Sequence, residues 1–572
     1  MDRLLKYIRT SRFYSIEGLV ALCALIVGAL ATIHYYFLGD IIAYGDAESH
    51  LNIAKRVISS LTPGFAQLGG IWLPLPHLLM VPFVANDFLW RTGLAGSIVS
   101  GIAFVISTVY VYKLVFLISK NRIAGGVGAA VFMLNANILY LQSTPLTELT
   151  LIVFFILSSY YFIKFLQDKS KLVHLLLAAL FGFFASLSRY DGWALVLMEA
   201  GILFLLYMPY TIAWKKYVPK IVRKEAKISL LDALSQWEGK LLLFCTLAFF
   251  GILLWLAWGY IILGDALYFT HSQFSAKSQQ TGWAAKGELP AYHHLWTSIM
   301  YYAYTSYVNI GAYVCVLALI GIAVFIVAKG IKGKWYVLLI LSVPFIFNVA
   351  TLFLGQSIIF IPGLTPSTFQ WTLFNVRYGV MMVPFAAFAV GYLYAKVPWF
   401  GKIIIVAIVV VQTVLFGIGY SPTITLLDGM VGLSSYTIKT PGVQAWIDTH
   451  YDNGYVLLDD YARTVSIIRS TIPMQNIVYI GNKPYWLESL AAPQDHVKWI
   501  IMQRDDTVWN TLWANPAGQA MLYKYYNKVY TSTDILIFER MPVGQVVSTN
   551  AATSTSAIAT STAILSTSTP KN

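Results

Sequence analysis

The 572-residue chain is 58% hydrophobic and only 11% charged, with a mean hydropathy of +0.66; these values exclude an ordinary soluble globule and indicate a polytopic membrane protein. A net charge of +13 would point a soluble chain towards nucleic acid, but here membrane orientation and anionic lipid account for it, so a nucleic-acid partner is set aside. The three cysteines, Cys23, Cys245 and Cys315, all lie in apolar runs and indicate no structural disulfide.

The first apolar run, residues 19–37, follows Arg3, Lys6, Arg9 and Arg12 and has no small-residue cleavage site, so it reads as a retained first span with a cytoplasmic N-terminus. Residues 44–82 then set acids, histidines and prolines between long apolar runs. Ala47, Leu51, Ala54, Ile58 and Leu61 recur at helical spacing, which predicts a helix with one apolar stripe broken at Pro63 and Gly64. Its opposite face carries Asp46, Glu48, Lys55 and Arg56, each costing at least ~2.5 kcal/mol at a bilayer centre, so the helix is expected to lie along the interface. Pro74 and Pro76 before His77 suit the first turn of a second short helix.

Further apolar runs centre near Val105, Val131, Phe155, Ala178, Val196, Phe250, Leu317, Ile340, Ala387 and Ile408, predicting about eleven spans across ~30 Å of hydrocarbon. Basic clusters (Lys120 with Arg122, Lys169 with Lys171, residues 215–227, residues 329–334, Lys396 with Lys402) fall in alternate connections, which are therefore expected to be cytoplasmic. Residues 44–82, the turn at 143–148, the loops at 265–296 and 355–377 and the C-terminus are then extracytoplasmic. The expected organisation is a membrane domain over 1–420, a small extracytoplasmic α/β domain over 421–545 with strands at 455–458, 498–502 and 534–538, and a disordered Ser/Thr-rich tail over 546–572. Asp459 and Asp460 follow the first strand and read as a solvated turn or cap.

Asp46 and His50 share a helix face, whereas Glu48 lies ~200° round from Asp46. Asp46 suits N-capping as well as proton transfer at a roofed membrane surface. Asp46-Ala47-Glu48 is also compatible with a divalent-metal clip completed by Glu148 in the TPLTE turn. His77, His271, His293 and His294 lie in outer segments but match no ligand spacing. Arg189 and Arg377 end apolar runs, where either snorkelling or capture of a lipid-linked phosphate by the planar guanidinium explains them, with Asp191 orienting Arg189.

The D-x-E opening of the first outer loop, the WLPLPHLL segment, the TE turn and the outer-end Arg-Tyr pairs together resemble the GT-C glycosyltransferase superfamily. The branch is glycosyltransferase family 39, that of protein mannosyltransferases and lipid A aminoarabinose transferases. The resemblance spans roughly the first 400 residues. It implies a polyprenyl-phosphate sugar donor, a protein, lipid or glycan acceptor, an inverting displacement with Asp46 as general base, and no required cofactor, a divalent metal remaining possible. The family's adjacent Asp-Glu pair is here separated by Ala47, and the W-W-D motif of oligosaccharyltransferases is absent. A transporter or flippase of lipid-linked sugars is the alternative; it would call for repeated halves with Gly/Pro-interrupted spans and ionisable residues at mid-membrane, whereas the acids here cluster in outer loops, which favours the enzyme, and a receptor acting through the C-terminal domain leaves the helix at Asp46 unexplained.

Overall fold

The computed structural model describes residues 16–207, 230–369, 371–439, 442–459 and 465–542. The basic stretch at 215–227, Asp460, the N-terminal basic residues and the 546–572 tail lie outside the described residues.

Helix α1 (Ile16–Leu38) leads through Gly39, at φ 79°, into a short 3-10 turn and then α2 (Gly45–Arg56). Ala47, Leu51 and Ala54 are fully buried, as their spacing predicts. The stripe does not continue to Ile58 and Leu61 as expected. The chain turns after Arg56: Ser59 donates its N–H to the Lys55 carbonyl and Gly64 donates to Val57, which leaves Ile58 42% exposed. Nor is the charged face open, because Lys55 and Arg56 are buried and Lys55 Nζ donates to the Val84 carbonyl at 2.9 Å and pairs with Asp87 at 2.6 Å. Helix α3 (Leu75–Val84) starts after Pro74 and holds Pro76 in its first turn, where a missing N–H leaves no intrahelical bond unmade.

Helices α4 (Leu94–Ser119), α5 (Arg122–Met133), α6 (Glu148–Gln167), α7 (Leu172–Ser186) and α8 (Asp191–Tyr207) follow, then α9 (Leu295–Ile310), α10 (Ala312–Val327), α11 (Val383–Lys396), α12 (Trp399–Gly417) and α13 (Ile424–Lys439). Among the described residues, α1, α4, α6, α12 and the Val376–Lys396 segment are each long and apolar enough to cross a membrane. Counting three bent helix pairs as one span each raises the number to eight at most, rather than about eleven. The apolar centres near Val131 and Ala178 fall on helices of 12 and 15 residues, which rise only ~18–23 Å, and the helix carrying Val196 is described as far as Tyr207. The sharpest bend, 112°, joins α9 to α10 at Gly311, whose φ of 92° only glycine adopts readily.

Helix α6 and the 376–396 segment are the most enclosed, 78% and 83% buried over their apolar windows, against 17% for α1 and 22% for α12. Around α11 the backbones pack closely: a Cβ on Gly321 of α10 would lie 2.3 Å from the Ala389 carbonyl oxygen, and one on Gly128 of α5 3.0 Å from that of Ala387. Small residues at such crossings supply the close packing that holds helices together in lipid, where burial alone drives little association.

Contacts divide the chain into two compact units, one of Met1–Asn453 with Val465–Ile477 and Gly481–Lys483, the other of Gly454–Thr464, Val478–Ile480 and Pro484–Asn572. The change in composition placed this boundary at 420/421, but α13 and Val443–His450 belong to the first unit. A five-stranded sheet has the order β2–β1–β3–β5–β4, built from β1 (Val456–Leu458), β2 (Ile477–Val478), β3 (Trp499–Gln503), β4 (Tyr526–Thr531) and β5 (Ile535–Arg540). β1 runs parallel to β3, and β5 pairs antiparallel with β3 and β4. The three apolar strands read from the sequence are β1, β3 and β5; β4 alternates too weakly and is too exposed to stand out.

Candidate active site

Four helix ends of the first unit bring their charged residues together. Asp46 is the second residue of α2, Glu148 the first of α6, Arg189 precedes α8 and Arg377 opens the turn before α11. Arg377 donates Nη2 to Asp46 Oδ2 at 2.6 Å and Nε to Glu148 Oε1 at 3.2 Å. Arg189 Nη1 donates to the same Glu148 oxygen at 3.1 Å and to Thr147 Oγ1 at 3.1 Å, while its Nε faces Asp191 Oδ2 at 3.4 Å. The side chains of Glu148 and Arg377 are 1% and 7% exposed, whereas Asp46 keeps 30% of its surface open. Of the two carboxylates on Arg377, Asp46 is the one open to solvent. The N-cap position of α2 is held by Tyr44 and not by Asp46.

Two tyrosines, not singled out from the sequence, frame the arginines. The Arg377 guanidinium lies 4.9 Å from the Tyr44 ring centre and 5.3 Å from that of Tyr378, and Arg189 lies 5.0 Å from the latter. Cation–π contact adds stabilisation of ~0.5–2 kcal/mol and fixes the guanidinium planes. Asp191 also faces Asn348 Nδ2 at 3.5 Å, and Asn348 reaches the Tyr302 hydroxyl at 3.3 Å. Asp191 therefore orients Arg189 from a buried position, as the spacing predicts.

His50 Nδ1 and His77 Nε2 lie 2.9 Å apart, both imidazoles are buried, and the His50 ring contacts Trp72 at 4.6 Å. One ring must donate and the other accept. Burial pushes the His50 imidazole down to about 4, against the opposing pull of Asp46 and Glu148. The pair tethers α2 to α3 as a neutral couple.

Glu48 turns away from Asp46. Its Oε2 accepts from Ser466 Oγ at 2.8 Å and its Oε1 from the Ile468 amide at 3.4 Å, so it helps hold the 465–470 segment against α2. The Asp46-Glu48-Glu148 metal clip is consequently not assembled, and among the described residues no group of three or more His, Cys, Asp or Glu side chains is arranged to hold a metal ion. His271 pairs with Asp265 at 2.9 Å, and His293 sits against Tyr292 and Phe353, so the outer histidines do not converge. Asp459 is buried and accepts from the Thr507 amide at 3.1 Å, a long-range contact and not a solvated turn.

Sequence reasoning also missed Asp428 of α13, buried at 5% exposure, whose Oδ2 lies 3.1 Å from both the Tyr44 hydroxyl and the Val376 amide. The signal available was one acid in the otherwise apolar run ITLLDGMVGL. Gly429 lets that turn approach Tyr44 and Tyr140, since a Cβ there would lie 2.9 Å from the Tyr140 hydroxyl.

No protein-family model and no curated protein matches the sequence. Among solved structures the chain is similar to ArnT from Cupriavidus metallidurans bound to undecaprenyl phosphate, with a TM-score of 0.50 at 10% identity over 92% of this chain and 98% of that one. The apo form of the same ArnT gives 0.44 at 11% identity over 90% and 97% of the two chains. The apo oligosaccharyltransferase of Archaeoglobus fulgidus gives 0.41 at 11% identity over 94% of this chain and 76% of that one. The likeness to ArnT extends over nearly the whole chain and shows that the two share a fold.

Proposed function

We propose that the chain is an integral-membrane glycosyltransferase that moves a sugar from a polyprenyl-monophosphate donor to an acceptor hydroxyl or amine at the extracytoplasmic face. The observation that carries this reading is the double ion pair in which Arg377 bridges Asp46 and Glu148 while Arg189 reinforces Glu148. Two permanently charged forks at the ends of membrane helices suit a phosphate at headgroup depth, and a half-open carboxylate beside them suits a base. ArnT of C. metallidurans, whose fold this chain shares, was solved with undecaprenyl phosphate bound.

In the proposed reaction Asp46 takes the acceptor proton, the acceptor atom forms a bond to the anomeric carbon, and the bond from that carbon to the phosphate oxygen breaks, so configuration inverts. The lipid phosphate leaves with the bonding electrons, and Arg377 and Arg189 stabilise the charge that develops on it. Because Arg377 Nη2 binds Asp46 at 2.6 Å, a phosphate oxygen arriving on that fork competes with the carboxylate and releases its lone pair for proton transfer. Glu148, buried and bonded to both arginines, remains behind as the fixed counter-charge.

The three bent helix pairs favour a second reading, a transporter of lipid-linked sugars, since interrupted spans are a transporter feature. Purified protein in liposomes loaded with polyprenyl-phosphate sugar separates the two. The enzyme reading expects a new glycosidic product and free polyprenyl phosphate; movement of intact donor between leaflets without any product supports the transporter.

A further inference from the structure

We propose that Asp428 is a positioning residue that sets the register between Asp46 and Arg377, an inference that rests on the glycosyltransferase reading above. Its Oδ2 is one atom touching both sides of the site: it accepts the Val376 amide at 3.1 Å and meets the Tyr44 hydroxyl at 3.1 Å. Val376 immediately precedes Arg377 and Tyr44 stands two residues before Asp46, its ring beneath the Arg377 guanidinium at 4.9 Å.

The backbone around Arg377 is pinned elsewhere too. Asn309 Nδ2 donates to the Val376 carbonyl at 2.8 Å, the Tyr302 hydroxyl donates to the Tyr378 carbonyl at 3.1 Å, and Asn375 holds a φ of 56°, rare for a residue with a side chain. Those ties fix the Arg377 turn alone. Asp428 is the group that joins the turn to the start of α2, so its loss is expected to let the 2.6 Å Arg377–Asp46 contact drift. Misplacement of reacting groups by ~1 Å costs up to ~10²-fold in rate.

Proton accounting refines the role. The Tyr44 hydroxyl also lies 2.6 Å from the Thr425 carbonyl, so its one phenolic proton is shared between that carbonyl and Asp428 Oδ2. Asp428 Oδ2 accepts from both the Tyr44 hydroxyl and the Val376 amide. The carbonyl oxygen of an asparagine amide can accept the same two bonds.

The test measures kcat/KM per mole of folded protein for Asp428→Ala and Asp428→Asn, each in the wild-type and Arg377→Lys backgrounds. Asp428→Ala is expected to lose about 10-fold or more in the wild-type background but less than about 2-fold beside Arg377→Lys, because both changes spoil one alignment. Asp428→Asn is expected to stay within about 3-fold of its parent. An equal loss in both backgrounds, or an Asn variant as poor as the Ala one, overturns the proposal. Should Asp428→Ala fail to accumulate, Tyr44→Phe removes the same junction and carries the same expectation. A structure of Asp428→Ala, or of Tyr44→Phe in its place, gives a readout free of activity: the Arg377–Asp46 separation should exceed 4 Å, and an unchanged hydrogen bond overturns the proposal. Wild-type protein that transfers no sugar counts against the parent reading and leaves this structural readout intact.

Discussion

Arg377 holds Asp46 at 2.6 Å and Glu148 at 3.2 Å with two nitrogens of one guanidinium, so the most exposed acid of the cluster and the most buried one share a single cation. A lysine keeps the charge but not the fork. Arg377→Lys is therefore expected to raise the donor KM about tenfold at near-normal accumulation. Arg377→Ala goes further: it strands the buried Glu148 carboxylate beside Arg189 alone, and removing one partner of a buried pair typically costs ~3–5 kcal/mol. Thermal unfolding in detergent checks the second expectation; an Ala variant as stable as wild type contradicts it.

His50 supplies a pH dependence. An ordinary imidazole titrates near ~6.5, whereas burial holds His50 at about 4. The unfolded chain therefore takes up this proton first, and stability is expected to fall as pH drops from 6.5 towards 4, by on the order of 2 kcal/mol between pH 7.5 and 5. His50→Gln should flatten that part of the profile. An unchanged slope in the variant would assign the pH dependence to other groups.

Glu48 is expected to act through the 465–470 segment and not through chemistry. Glu48→Gln weakens two charge-assisted bonds, to Ser466 and the Ile468 amide, so limited proteolysis within that segment should accelerate while sugar transfer stays within about threefold. A loss comparable to that of an Asp46 variant would return Glu48 to the reaction.

The alternation of basic connections predicts which face the C-terminal unit occupies. Protease added to right-side-out membrane vesicles is expected to remove the chain beyond residue 453 and spare the basic stretch at 215–227. The reverse pattern inverts the face on which the proposed reaction occurs.

Asp46, Glu148, Arg189 and Arg377 stood out in the sequence because each interrupts or ends an apolar run, where charge is costly enough to need a reason. Their mutual arrangement did not stand out. Glu148 and Arg377 are 229 residues apart, and no periodicity encodes which acid a distant guanidinium will choose. Asp428 interrupts an apolar run as they do, but its partners Tyr44 and Val376 were not legible, since they meet it only after α2, α13 and the α11 turn have packed. The expected span count exceeds that of the described helices because hydropathy registers an apolar run whatever the length of its helix, and the runs near Val131 and Ala178 fold as helices of 12 and 15 residues. Contacts group α13 with the first unit, whereas the composition change near Ser421 set it with the C-terminal residues, because local composition does not encode which helices pack together.

The most direct test of the central claim is the transfer rate of Asp46→Asn in purified, reconstituted protein with saturating polyprenyl-phosphate sugar. Asparagine keeps the size of the side chain and leaves Arg377 its bond to Glu148, so accumulation and donor binding should persist. The account predicts that kcat falls by about 10²-fold or more, because the amide cannot accept the acceptor proton. Transfer at the wild-type rate by a normally accumulating Asp46→Asn protein would contradict it and place the base elsewhere.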